Sequence, residues 1–141
     1  DAGAQMAYGL SICDILKISD NEIQWFSRKE DYTEGIHMLQ QTYQIPLILL
    51  SMGKDGSRAY YKDMLVEVPA FLQKNTIETT GAGDTFGACC LHHILKYGLD
   101  NLTERQLKEM LTFANAAASI ITTRKGALRV MPSLEEIQRL L

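Results

Sequence analysis

Thr79-Thr80-Gly81-Ala82-Gly83-Asp84 runs directly into the apolar segment Thr85-Phe86-Gly87-Ala88-Cys89-Cys90-Leu91. Gly81 and Gly83, with only Ala82 between them, give the backbone room to turn sharply and approach a ligand. The residues that follow read as a helix, which places the turn's N–H groups at its positive end. Such an end suits phosphate, or charge that develops during a reaction. Asp84 falls in the first helical turn, where a carboxylate is also stable simply as a cap. The stretch has no Gly-Lys-Ser/Thr and so is not a P-loop. Phe86 stands where a dinucleotide fingerprint needs its third glycine.

Upstream, residues 2–10 read as a short amphipathic helix ending near Gly9. Residues 11–18, with Ile12, Ile15, Leu16 and Ile18, form an apolar run bounded by polar residues, the pattern of a buried parallel strand. Ser19-Asp20-Asn21-Glu22 then opens a short helix with a capping box, Ser19 as N-cap and Glu22 three residues on. Residues 33–44 read as a helix with Ile36, Leu39 and Tyr43 on one face and His37 beside them. Pro46 opens the apolar strand Leu47-Ile48-Leu49-Leu50. Strand, helix, strand at this spacing implies a parallel sheet. Ser51-Met52-Gly53-Lys54-Asp55-Gly56 ends the second strand in a turn. Tyr60-Tyr61 and Leu65-Val66-Glu67-Val68 make a hairpin around Lys62-Asp63. Residues 71–80 bring an extended chain to the glycine turn.

Downstream, the helix over 82–97 is apolar on most faces (Phe86, Leu91, Ile94, Leu95), so it is expected to be central and buried. Gly98 is its C-cap. His92 and His93 lie about two to three turns from Asp84, beyond catalytic reach. Thr103 caps a helix to about Ile121, with Leu107, Met110, Leu111, Ala114, Ala118 and Ile121 as its apolar stripe. Asn115 sits beside that stripe and reads, on pattern alone, as a surface residue. Pro132-Ser133-Leu134-Glu135-Glu136 is another capping box, opening a short terminal helix.

With 141 residues, 46% apolar and 22% charged, the chain has the length and composition of one globular domain. A formal charge of −3 argues against a nucleic-acid surface. No run approaches the ~18 apolar residues of a membrane span. The N-terminal residues lack the pattern of a signal peptide. Cys13, Cys89 and Cys90 have no metal-binding spacing, and neighbouring helical cysteines point apart, so reduced thiols in a cytoplasmic protein are expected.

The stretch from Thr79 to Asp84 resembles, nearly letter for letter, the second signature of the PfkB family of carbohydrate kinases, the ribokinase-like sugar kinases. The resemblance implies an α/β, ribokinase-like three-layer αβα sandwich with a mostly parallel sheet. It implies that the backbone of Gly81, Ala82 and Gly83 is an anion hole for the transferred phosphoryl group and that Asp84 is the catalytic base. The family's Asn-x-x-Glu is matched by Glu22, in the magnesium and water network, while Ser19 replaces the Asn. Its Thr-x-Gly-x-x-Gly, which contacts the nucleotide, is matched by Ser51, Gly53 and Gly56. Phe113-Ala114-Asn115-Ala116-Ala117 matches the helix beside the adenine, with Asn115 as the contact. Thr122-Thr123-Arg124-Lys125-Gly126-Ala127 matches the segment that closes the nucleotide pocket, placing Gly126 near a monovalent-cation loop. Glu78 stands there for the usual Asp, and Val130 for a Ser.

By this resemblance the cofactors are ATP and Mg²⁺, with K⁺ as a further candidate. The partners are a small-molecule sugar and ATP, without nucleic acid or membrane, and with a homodimer through a lid outside this chain. The resemblance covers only the family's C-terminal half. Residues 1–141 are therefore expected to be one domain, the nucleotide-binding and catalytic half, and inactive without the sugar-binding half. Asp14-Ile15-Leu16-Lys17-Ile18-Ser19 and residues 122–127 look most like bacterial fructokinases, so phosphorylation of fructose at its 6-hydroxyl is the first expectation. Ribose, 2-keto-3-deoxygluconate or a nucleoside are alternative substrates. A non-catalytic nucleotide- or sugar-phosphate-binding module is an alternative of another class. A dehydrogenase piece is disfavoured by Phe86 and by the lack of an acidic residue ending a following strand.

Overall fold

A computed structural model describes residues 1–141. The elements in chain order are α1 (Ala2–Ile12), β1 (Ile15–Ser19), α2 (Asp20–Ser27), α3 (Tyr32–Tyr43), β2 (Leu47–Ser51), a 3-10 turn (Gly53–Asp55), β3 (Ser57–Tyr61) and β4 (Met64–Val68). They are followed by α4 (Ala82–Tyr97), α5 (Glu104–Ile121), a second 3-10 turn (Leu128–Val130) and α6 (Leu134–Leu140). The strands form one sheet in the order β1-β2-β3-β4. The chain divides into two compact units, one of Asp1–Met52 with Ala59–Leu65, the other of Gly53–Arg58 with Val66–Leu141.

In the first unit, β1 and β2 pair in parallel with Ile15 opposite Leu47 and Ser19 opposite Ser51. Leu47, Ile48, Leu49 and Leu50 are all buried, as a strand covered on both faces requires. Each such aliphatic side chain contributes about 1.5–3 kcal/mol by leaving water. Ile48 and Leu50 join Ile18, Ile23, Ile36 and Leu39 in one core. His37 is exposed. Two boundaries differ from expectation. The first helix runs through Gly9 to Ile12, and the first strand begins only at Ile15, after Cys13 has closed the helix in extended conformation. Ile12 is apolar enough for a strand, but it and Ser11 are held in the last helical turn, and Ile12 is exposed.

In the second unit, α4 packs along α5, and α6 packs on α5. The buried side of α5 is broad: Leu107, Met110, Leu111, Ala114, Ala116, Ala117 and Ile121, together with Asn115 and Ser119. Ala118, expected within the stripe, is half-buried. Ala116, Ala117 and Ile137 form a small core backed by Phe71, Cys89 and Phe113. The expectation that α4 is buried on most faces is corrected. Thr85, Phe86, Cys90, His93 and Ile94 are buried, but Leu91 is 50% and Leu95 87% exposed. Burial follows what packs against a helix, and α4 turns only one side to α5. All three cysteines are free. No helix is long and apolar enough to cross a membrane.

Candidate active site

The second unit assembles the glycine turn from its backbone outward. Ile77 N and Glu78 N both donate to the Thr122 carbonyl, at 2.8 and 3.3 Å, and so tie the approach strand to the end of α5. Gly81 is the N-cap of α4 at φ +79°, a conformation that costs an L side chain dearly. A Cβ on Gly81 would lie 3.1 Å from Ala127 Cβ and 3.2 Å from Ile121 Cδ1. Thr85 N donates to Gly81 O at 2.9 Å, which starts the helix.

Five of the six helices have an N-cap whose side chain accepts a backbone N–H: Asp1, Ser19, Asp31, Thr103 and Ser133. At α4, a helix of 16 residues, no side chain caps the N-terminus. Its positive end therefore remains available to an anion. Ala82 N donates to Thr79 O at 3.1 Å, so this amide closes the turn rather than pointing to a ligand. The amides of Gly83 and Asp84 come next in the opening turn of the helix. The Asp84 side chain is exposed in that turn.

Glu78 and Gly126, which the resemblance puts near one loop, meet: Gly126 N donates to Glu78 Oε1 at 2.6 Å, with Gly126 at φ +113°. Together with the Thr122 carbonyl this bond fastens residues 122–127 beneath the glycine turn. Asn115 is buried, not a surface residue, and its Nδ2 donates to Val68 O at 3.2 Å and Pro69 O at 3.1 Å. Gly56 abuts the same segment. At φ +99°, a Cβ on it would fall 2.2 Å from Val68 O, inside any allowed contact. Gly56 and Asn115 therefore both meet the end of β4, while Gly53 opens the 3-10 turn just before Gly56.

The first unit carries Glu22 and Ser51. Ser19 and Ser51 are register partners at the carboxyl ends of β1 and β2, the edge of an open α/β sheet where ligands bind. The capping box expected there forms: Glu22 Oε2 accepts from Ser19 N at 2.8 Å, and Glu22 N donates to Ser19 Oγ at 3.2 Å. The Ser19 N–H holds the Glu22 carboxyl below the usual carboxylate range, against a smaller opposing effect of burial.

The carboxylate that the family resemblance offers to a magnesium network is Glu22, whose Oε2 accepts from Ser19 N. No three His, Cys, Asp or Glu converge as an all-protein cage, and Mg²⁺ usually keeps water and one or two carboxylates beside phosphate oxygens. Near Gly126 the Glu78 carboxylate is engaged with Gly126 N, and the methyls of Val130 lie beside the glycine. The sequence could not show the role of the Thr122, Val68 and Pro69 carbonyls, since main-chain acceptors carry no side-chain signal. Ala127 escaped for a related reason: it acts only by its position against Gly81.

Residues 2–134 match the pfkB family of carbohydrate kinases. A probable fructokinase-5 of Arabidopsis thaliana is 34% identical over 128 residues, covering 91% of this chain and 39% of the relative. A fructokinase of Klebsiella pneumoniae is 33% identical over 131 residues, covering 92% of this chain and 42% of the relative. Among solved structures, a fructokinase from Vibrio cholerae O395 in fructose, ADP and calcium ion bound form superposes with a TM-score of 0.86 at 25% identity, over 97% of this chain and 44% of that one. The expected α/β ribokinase-like fold is thus the one observed. This chain spans about two fifths of the length of these relatives. Fold, signature and match along nearly the whole length agree, and the chain belongs to the pfkB family of carbohydrate kinases.

Proposed function

We propose that this chain is the C-terminal, nucleotide-binding and catalytic half of a cytoplasmic, ATP-dependent sugar kinase, with fructose as substrate and fructose 6-phosphate as product. The observation that carries the reading is the start of α4: a long helix without a side-chain cap, Gly81 locked at positive φ, and Asp84 exposed in the first turn. Phosphoryl transfer asks mainly for positioning and charge neutralisation. Helix-end amides stabilise the negative charge of the migrating phosphoryl group. Because Ala82 N is bonded within the turn, the amides of Gly83 and Asp84 take the larger share, with Gly81 shaping the turn. Asp84 accepts the proton of the sugar hydroxyl as its oxygen bonds to the γ-phosphorus and ADP leaves. Mg²⁺, when bound, neutralises charge on the phosphates. Glu22, held ionised by its capping box, orients the water around it.

In this reading Ser51, Gly53 and Gly56 shape the phosphate and ribose side of the nucleotide site. Asn115 acts on the adenine side by fixing the Val68–Pro69 carbonyls rather than by reaching the base with its amide. No step requires a monovalent cation. A homodimer would form through segments outside this chain. The test is ADP release by the whole enzyme across a panel of sugars with ATP. Fructose is expected to give the highest kcat/KM, and Asp84→Asn to lower kcat about 10²-fold or more with unchanged unfolding. Near wild-type turnover in Asp84→Asn would remove Asp84 from the chemistry. Nucleotide binding without turnover on any sugar would favour a non-catalytic binding module.

A further inference from the structure

At the opposite end of α4 from Asp84, a groove of about 570 Å³ lies between α4, α5 and α6. Lys96 is 12 positions beyond Asp84, about 18 Å along the helix, so the groove is separate from the glycine turn. Its floor is apolar, formed in part by Phe71 and Phe113. Its polar wall is strongly one-signed. Lys96, Arg105 and Lys108 line it with His92 and His93, against one acidic side chain, Glu109. This concentration of positive charge occurs in a chain whose net charge is −3.

Lys96 is answered from within by the Tyr97 side chain and by Glu109, whereas Arg105 and Lys108 form no ion pair. Glu109 Oε1 accepts from the Tyr97 hydroxyl at 2.9 Å and faces His93 Nε2 at 3.9 Å, so the one acid is held toward the α4 side. His93 is buried against Phe113, and its Nδ1 lies 3.0 Å from the Cys89 carbonyl, which leaves Nε2 turned toward Glu109. Lys96 stands at the C-terminal end of α4, where the helix dipole supports a cation. Arg105 and Lys108 have no such support. They stand in the opening turns of α5, a helix of 18 residues, where the same dipole disfavours positive charge. Both are exposed, so packing does not demand them there. The positive end of α5 is already capped by Thr103 and Gln106, so an anion seated in the groove would answer the side chains of Arg105 and Lys108.

We propose that this groove is a second ligand site, for a small organic anion with at least two negative charges beside an apolar or sugar-like body. Phosphate esters and di- or tricarboxylates share that chemistry. The volume is that of a metabolite pocket, and the Arg105 fork suits either oxyanion.

The experiment is an amide-resolved NMR titration of the whole enzyme with inorganic pyrophosphate, and in a parallel arm with citrate. The expected result is saturable shifts at residues 92–97 and 104–113 with a dissociation constant at or below about 1 mM. Arg105→Gln with Lys108→Gln is expected to weaken binding at least about tenfold without altering the spectrum elsewhere, because both side chains are exposed. The arm that saturates at lower concentration tells phosphate from carboxylate ligands. Shifts confined to residues 79–84 and 122–127, no shift up to about 10 mM, or equal affinity in the double variant would each overturn the proposal.

Discussion

Substituting Gly81 by Ala puts a number on how tightly the glycine turn is held. At φ +79° the new side chain sits in the left-handed region, which costs an L residue about 1–2 kcal/mol. The added Cβ also meets Ala127 Cβ at 3.1 Å and Ile121 Cδ1 at 3.2 Å. Ile121 can yield by rotating, but Ala127 Cβ is fixed to the loop that Thr122 O and the Glu78–Gly126 bond hold in place. Relieving that contact moves backbone and adds roughly 1 kcal/mol. The sum is about 2–3 kcal/mol, a lowering of Tm by roughly 6–12 °C for a chain this size. The control is Gly87→Ala within α4. There an added Cβ meets nothing within 4 Å, so replacing a helical glycine is expected to gain about 0.5–1 kcal/mol. Urea unfolding followed by far-ultraviolet circular dichroism reads both. Equal stability of Gly81→Ala and wild type, or equal losses in the two variants, would refute the picture of a turn clamped between α4 and residues 122–127.

Three further outcomes follow from single contacts. Asn115→Ala should cost about 1–3 kcal/mol in the same assay, because the Val68 and Pro69 carbonyls lose a buried donor. A loss within experimental error would mean these carbonyls find water instead. Glu22 is held below its unfolded value of 4.5 chiefly by the Ser19 N–H, so its contribution is present above that pH and fades as pH falls through the lower folded value. The urea midpoint measured from about pH 6 to pH 3 should therefore drop more in wild type than in Glu22→Gln. Burial pushes the Cys89 thiol up to about 11 and Cys90 higher still. A thiol reagent at neutral pH should therefore label Cys13 first and reach Cys90 only on unfolding. Labelling of native Cys90 as fast as Cys13 would place it at the surface.

Much of the fold was legible because its signals are local. The capping boxes at Ser19, Thr103 and Ser133 form as the spacing requires, and α4 spans the residues expected of it. What the sequence could not settle depends on neighbours remote in the chain. Leu91 and Leu95 look like core residues and are exposed, whereas Asn115 looks like a surface residue and is buried. In each case hydropathy describes the side chain but not its partner. Residue type also hides main-chain work, so Gly81, Ala82 and Gly83 look equivalent in the signature. The structure divides them: Gly81 sets the turn, Ala82 N closes it on Thr79, and Gly83 begins the run of helix-end amides.

The bare end of α4 argues most directly from sequence to chemistry. A Ser, Thr, Asn or Asp at position 81 would be the ordinary way to cap the helix, better than glycine by a few tenths of a kcal/mol. At φ +79°, beside Ala127, none of these fits without strain, and each would bring its own oxygen to amides that an anion could use. Glycine thus leaves α4 less stable than its neighbours' caps would make it, and leaves its positive end open. Gly81 therefore combines the one backbone conformation this turn allows with a helix end that an anion can approach.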